Sequence, residues 1–217
     1  VYHLQHRFIL DWNYSGHDKH DPENTFCFVR HDISTKSPMQ IVTSGPNSDT
    51  EHLKNMMIKM IMSAKHRVII QTPYFIPDAS FMDACKMALL SGVEMNIMIP
   101  GKPDHPFVMW ASLSFLGELL DYGANVYMYD QGFLHAKTLV VDDEIATVGT
   151  TNLDARSFRL NFEVNALIYD KQVALELASL FESDIAVSRR YTVEDYAERK
   201  WTVRMREGVS RLLSPIL

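Results

Sequence analysis

Apolar residues along the chain switch repeatedly between helical and strand spacing. Val1, Leu4, Phe8 and Trp12 recur every three or four residues and predict a helix over Val1–Trp12. The polar stretch Tyr14–Thr25, with Gly16 and Pro22, reads as a surface loop. Met39–Ser44 predicts a short strand. Gly45-Pro46-Asn47-Ser48 is a turn whose last residue, with Glu51, fits a capping box. The helix expected next carries Leu53, Met56, Met57, Met60 and Ile61 on one face, which marks it for burial. Arg67–Gln71 is a continuous apolar run, as in a strand covered on both faces of a mixed or parallel sheet. A helix capped by Asp78 or Ser80 runs to near Gly92. A strand over Val93–Ile99, a helix over Phe107–Tyr122 stopped by Gly123 and a strand over Asn125–Tyr129 follow. Strands are then expected from the segment that opens at His135 and continues through Thr138–Val141, from Ile145–Val148 and from Glu163–Tyr169. Gln172–Val187 returns to helical spacing. Strands alternating with helices predict an α/β fold, a central mixed sheet flanked by helices on both faces, in one domain over 1–217.

Composition narrows the class. At 217 residues and 47% hydrophobic, the chain can bury a sizeable core. The net charge of -6 argues against a nucleic-acid partner, since such binders usually carry a basic excess. No apolar run approaches membrane-spanning length. No signal peptide opens the chain. A start at Val1 instead of Met, with a helix that begins abruptly, leads us to expect a piece of something longer. Cys27 and Cys85 lie in apolar contexts without CxxC spacing and are expected to be buried, reduced thiols. The terminal Arg204–Leu217 is basic and apolar. It suits a docked C-terminal helix with solvated arginines, with contact to anionic head groups as the other reading.

The candidate chemistry is concentrated in LHAKTLVVDDEIATVGTTNLDARSFRLNFE, Leu134–Glu163. If His135 and Lys137 belong to the strand, their side chains share a face. Asp142, at odd separations from both, then points away and supports the turn at Asp142-Asp143. Thr150 and Asn152 can offer a hydroxyl and a carboxamide, and Glu163 can accept a hydrogen bond from His135. A neutral imidazole with a fixed cation and neutral donors suits phosphoryl transfer. No HExxH or clustered carboxylates call for a metal, so neither metal nor cofactor is expected. His17-Asp18-Lys19 repeats H-x-K, but in a polar loop without the later residues, and reads as a decoy.

His135-x-Lys137-x4-Asp142, then Gly149-x-x-Asn152 and Glu163, resembles the HKD signature of the phospholipase D superfamily. The NLDARSF-x(3)-FE tail is most similar to the second HKD half of bacterial cardiolipin synthases, and the similarity runs from Val1 to Leu217. The resemblance implies a phospholipase D-like α/β sandwich with His135 as nucleophile or its paired acid/base. It makes Lys137 and Asp142 the rest of the signature, with Asp142 mainly structural. It further implies Thr150 in the phosphate pocket, Asn152 on the phosphate and Glu163 orienting the histidine. The TPYFIPD loop, with Tyr74, and the loop holding Lys102 and His105 are similar to segments bordering that pocket, so Tyr74 and His105 join the substrate-binding set. Family members carry two HKD motifs, and this chain has one.

The implied activity is transfer of a phosphatidyl group between two phosphatidylglycerol molecules, with release of glycerol through a phosphohistidine. The implied partners are that phospholipid, a membrane surface and the N-terminal HKD half of the same protein or a homodimer mate. The implied location is the bacterial cell membrane, on its cytoplasmic side. Two other readings are a single-motif phosphodiesterase or nuclease completed by homodimerisation, and a non-catalytic lipid-binding domain.

Overall fold

A computed structural model describes residues 2–16, 19, 37–102 and 104–214. The chain forms two compact units, 1–37 and 38–217. In the first, α1 (Tyr2–Ser15) extends past the expected Trp12 and carries an Arg7–Asp11 ion pair one turn apart. His17, Asp18 and Cys27 lie outside the described residues.

The second unit contains β1 (Met39–Ser44), α2 (His52–Ser63), β2 (Arg67–Gln71), β3 (Phe75–Ile76), α3 (Ala79–Leu90), β4 (Glu94–Pro100), α4 (Pro106–Leu120) and β5 (Asn125–Tyr129). It continues with β6 (Thr138–Val141), β7 (Ile145–Gly149), β8 (Leu153–Asp154), α5 (Ala155–Arg159), β9 (Glu163–Ile168), α6 (Lys171–Ile185), β10 (Ser188–Tyr191), α7 (Val193–Ala197) and α8 (Trp201–Leu212). Eight strands form one mixed sheet in the order β1-β9-β7-β6-β2-β4-β5-β10. β2, β4 and β5 are parallel, and every other neighbouring pair in that sheet is antiparallel. The open sheet with helices on its faces is the architecture expected from the alternating pattern.

Strand alternation divides the core. Val68, Ile70, Ile97, Leu139 and Val141 share one apolar cluster with Met57, Met60 and Ile61 of α2, Phe81 and Cys85 of α3, and Leu116 and Leu119 of α4. Ile69, Met98, Val140 and Ala146 face the other way and pack with Ala174, Ala178 and Phe181 of α6. Both faces of the central strands are therefore dry, which is why their sequences read as unbroken apolar runs. The methionine stripe of α2 belongs to this core, and the buried Cys85 thiol is pushed up to about 12 by desolvation.

Several expectations are corrected. Ser48 does not start a capping box. It closes a turn onto the Gly45 carbonyl at 3.0 Å, and α2 begins four residues later. Glu51, at the N-cap, makes no side-chain cap bond and pairs instead with Lys54 and Arg159. The strand expected to open at His135 begins at Thr138. Thr138 is the last row shared with β2, where it faces Gln71, and Pro73 shortly beyond has no N–H to extend the ladder. The TPYFIPD loop contains β3, which pairs in parallel with β8. β10, Ser-Arg-Arg-Tyr, carries no alternation in its sequence and forms an edge strand on β5. Asp78 is the cap of α3, accepting from Phe81 N–H at 3.0 Å.

The β6–β7 turn fixes the sheet's register. Asp142 and Asp143 both have positive φ, 53° and 56°, the conformation of a tight hairpin turn with matching twist. The Asp142 carboxylate accepts from three consecutive main-chain N–H groups, Lys65 and His66 at 2.8 Å and Arg67 at 2.9 Å, while Asp142 N–H donates to the Arg67 carbonyl. The carboxyl is partly desolvated, which would raise its pKa, but these bonds from Arg67, Lys65 and His66 outweigh burial and hold it below the usual range.

Asp142→Ala removes the two oxygens that accept three hydrogen bonds and places a residue without a local hydrogen bond in the left-handed region, so it should cost about 1–3 kcal/mol and lower Tm by about 2–4 °C per kcal/mol. Because the folded-state pKa is depressed, the difference between wild type and variant should be complete above the ordinary carboxylate range. It should shrink as pH falls through the folded pKa. Denaturant melts of both proteins across the acid range check this; a gap that stays constant with pH contradicts the carboxylate role.

Candidate active site

One edge of the sheet gathers the candidate residues. The parallel strands β2, β4 and β5 all end there, at Gln71, Pro100 and Tyr129, so the loops carrying Tyr74, His105 and His135 leave from the same side. The antiparallel strands meet that edge with their other ends. β6 begins at Thr138, directly after Lys137, β7 ends at Gly149, ahead of Thr150 and Asn152, and β9 begins at Glu163. Asp142 sits at the opposite end of β6, one strand length away.

Gly149 lets β7 approach β9 closely. A Cβ there would overlap the Asn165 side chain and the Val164 carbonyl. Without one, Thr151 can donate through its hydroxyl to Asn165 Oδ1 at 2.8 Å, and Thr150 N–H to the Val164 carbonyl at 3.0 Å. Asn165 is buried and donates onward to Thr147 at 3.1 Å, so this small polar network fixes the exit of β7.

His135 is exposed and its ring lies over Phe133, centroids 5.6 Å apart. Lys137 is half-buried, and its ammonium donates to the His135 carbonyl at 3.0 Å. Desolvation lowers the Lys137 pKa, while the charges of Glu163 and Asp154 hold it partly up. Glu163 is buried. Its carboxylate accepts from the Thr150 hydroxyl and from Asn161 Nδ2 at 3.2 Å, and Val164 N–H donates to Thr150 Oγ1 at 3.0 Å. The oxygen atoms assigned from sequence to the imidazole are thus engaged by Thr150 and Asn161.

Beside these residues opens a cleft of about 250 Å³, lined by Tyr74, Ile76, His105, Val108, Asn152, Asp154, Arg156 and Asn161. The Tyr74 hydroxyl bonds Asp104, and its pKa is pushed up to about 12 by burial, that bond and the charges of Asp104 and Asp154. His105 stands at the N-cap position of α4. Asn152 donates to Asp154, and its own Oδ1 is buried without a partner. Asp154, Asn161 and Arg156 are residues to which the sequence reading gave no role. Asp154 is buried, and desolvation raises its pKa despite hydrogen bonds from Ser157 and Asn152. It caps α5 through Ser157 N–H at 2.7 Å and acts electrostatically on both Lys137 and Tyr74. The signal was present as Asp-x-x-Ser ahead of a helical turn, two residues after Asn152. Among the described residues, no group of three or more His, Cys, Asp or Glu side chains is arranged to hold a metal ion.

Solved structures share this architecture. Nuc, a phospholipase D family member from Salmonella typhimurium, superposes with a TM-score of 0.62 at 18% identity, covering 72% of this chain and 99% of that one. The phosphatidylserine synthase of Haemophilus influenzae gives 0.67 at 18% identity, over 82% of this chain and 48% of that one. At such identities the likeness establishes the fold alone, that of the phospholipase D class. The family model described as cardiolipin synthase, PLD-like domain, matches residues 57–185, and the chain belongs to that family. The major cardiolipin synthase ClsA of Bacillus subtilis is 57% identical over 222 residues, which is 100% of this chain and 45% of that protein. A cardiolipin synthase of Staphylococcus aureus is 53% identical over 214 residues, 99% of this chain and 43% of that protein. The chain thus spans less than half the length of these curated relatives.

Glu163 contributes one of the two negative charges that keep Lys137 protonated. Glu163→Gln should therefore move the Lys137 pKa further down. Titration of the Lys137 ε-methylene by NMR in both proteins reads this directly. An unmoved midpoint would detach Lys137 from the Glu163 carboxylate.

Proposed function

We propose that this chain is the carboxy-terminal catalytic half of a cardiolipin synthase, a single phospholipase D-like domain acting on phosphatidylglycerol at a bacterial membrane, on its cytoplasmic side. The observation that carries the reading is Lys137: a half-buried cation, bonded to the His135 carbonyl and within electrostatic reach of Glu163 and of Asp154, which lines the cleft.

In this reading, a ring nitrogen of His135 attacks the phosphorus of one phosphatidylglycerol. The P–O bond to the head-group glycerol breaks, and an acid protonates the departing alkoxide, releasing glycerol. A hydroxyl of a second phosphatidylglycerol then attacks the phosphatidyl-histidine, losing its proton to the same group. The P–N bond breaks, giving cardiolipin and free His135. Lys137 stabilises charge on the non-bridging oxygens. Thr150 holds Glu163, and the pair orders the strand ends on which the motif sits. Glu163 can take the imidazole N–H if the lead-in segment swings His135 inward. Asn152 contacts phosphate when a half-turn of its carboxamide frees the N–H₂ from Asp154 and sets Oδ1 against that carboxyl, which must then be protonated to donate to it. As oriented here, that oxygen can instead accept from a glycerol hydroxyl, and satisfying a buried acceptor is worth about 1–3 kcal/mol. Tyr74 and His105 form the wall. Asp142 serves the motif only through the sheet.

The reaction needs a second imidazole on the far side of phosphorus. We assign it to another polypeptide segment, the amino-terminal HKD half or a second copy of this chain, with His105 as the alternative inside these residues.

The test is thin-layer detection of cardiolipin from phosphatidylglycerol, with this chain alone and with the amino-terminal half supplied in the same or a separate chain. We expect synthesis only in the combined protein, and a loss of at least about 10³-fold in His135→Ala with an unchanged melt. Full synthesis by a monomer of this chain, verified by light scattering, would overturn the two-half reading and move the acid role to His105. Near-normal turnover by His135→Ala in the combined protein would overturn the mechanism.

A further inference from the structure

The carboxy-terminal helix α8 is amphipathic in the reverse sense for a helix packed on a protein. Its buried residues are Glu207 and Ser210, turned toward the body of the fold. Its large apolar residues face solvent: Trp201 is 70% exposed, Met205 58%, Val209 50% and Leu212 82%. At about 100° per residue, the mean direction of these four lies about 180° from that of Glu207 and Ser210. The stripe is therefore as far from the core as the helix allows, and folding does not account for it.

Docking of α8 is supplied by polar and cationic contacts instead. Glu207 pairs with Arg199, Arg206 lies 5.1 Å over the Trp110 ring, Arg211 lies 4.4 Å over Phe115, and Arg211 also pairs with Glu118. Both ring contacts join residues separated by the same sequence offset, so α8 runs alongside α4 in the same direction. Extended back by that offset, the start of α8 falls level with His105, and it is His105 that lines the cleft.

The surface beside the stripe has one sign of charge. Lys200 and Arg204 flank it on one side and Arg206 on the other, all exposed, and the only acid in α8 is the buried Glu207. The nearby acids Glu194, Asp195 and Glu198 precede the helix. An apolar ridge bordered by cations matches an anionic bilayer, where the ridge enters the acyl boundary and the long basic side chains reach the head groups. A protein net charge of -6 makes this a local attraction.

We infer that the outward face of α8 is a membrane-docking surface for anionic phospholipid, which brings the mouth of the cleft to the bilayer. The inference rests on the proposed lipid substrate for its purpose, and its test is independent of turnover.

The measurement is co-flotation of the purified chain with vesicles of phosphatidylglycerol and phosphatidylcholine in equal parts, and with phosphatidylcholine alone. Binding should be confined to the anionic vesicles and weaken at high salt. Trp201→Ser with Met205→Ser and Leu212→Ser, and separately Lys200→Gln with Arg204→Gln, should each reduce binding by at least about tenfold. In a Trp12→Phe, Trp110→Phe background, which needs no change to the stripe, Trp201 fluorescence should shift to the blue on adding anionic vesicles and be quenched by brominated acyl chains. Binding unchanged by the stripe variant, absent binding by the wild type, or a Trp201 that stays in water overturns the inference. So does a self-association that the stripe variant abolishes while vesicle binding persists. His135→Ala should bind vesicles normally, and the stripe variant in the combined protein should retain transfer on detergent-dispersed phosphatidylglycerol. Vesicle binding without any transfer would thus fault the proposed reaction and leave the docking surface standing.

Discussion

The Asp142 carboxylate, holding the N–H groups of Lys65, His66 and Arg67, ties the β6–β7 turn to the start of β2. Slipping β6 against β2 by one residue would break those bonds and reverse every side chain on β6 relative to its core face. Val140 would then leave the cluster around α6, and Leu139 and Val141 the cluster beneath α2 and α3. The same register sets where β6 begins. Lys137 falls just outside the sheet because Thr138 is the residue opposite Gln71. A residue far from the cleft thereby determines the position of the cation beside it.

The sheet direction does the remaining work. Three parallel strands deliver their following loops to one edge, and the antiparallel partners bring their starts and ends to the same place. Residues from Tyr74 to Glu163 therefore converge without any long loop having to carry them. At that edge the cost of burial falls on a few charged groups. Lys137 is partly desolvated and loses proton affinity. Asp154 and Glu163 are buried nearby, and each supports protonation of the lysine. Both carboxylates therefore act on the same cation, and their charges partly offset what its burial costs.

Much of this was legible in the residues. Strands buried on both faces announced themselves as apolar runs at Arg67–Gln71 and Thr138–Val141. Asp142 was rightly placed at a turn, but from a spacing counted along a strand taken to open at His135, and that strand starts at Thr138. Other features were hidden for physical reasons. β10 is an edge strand with arginines in its middle, stabilised by its ladder with β5, so no alternation marks it. β3 and β8 are two residues each and exist only because they meet. The start of β6 depends on where its neighbour ends, which local spacing does not encode. Asp154 was visible as a cap, but its effect on Lys137 and Tyr74 depends on burial. Glu163 was read as the partner of an imidazole, while the nearer hydroxyl of Thr150 takes it in the folded chain.

The charge balance at the cleft bears on what completes it. Among the described residues there, Lys137 and Arg156 face the carboxylates of Asp104, Asp154 and Glu163. A phosphodiester brings another negative charge, and a transition state that spreads charge over its oxygens needs donors already in place. In a partly desolvated site, adding an anion to an excess of carboxylates is unfavourable unless cations outnumber them or a carboxyl is protonated. Asp154, whose burial raises its pKa, eases the balance from one side. A second imidazole and lysine facing the cleft would shift it from the other, and they would occupy the open side on which His135 stands exposed. In the proposed reaction, the second half would therefore act electrostatically as well as mechanistically: the groups that would protonate the leaving alkoxide would also let the phosphate enter.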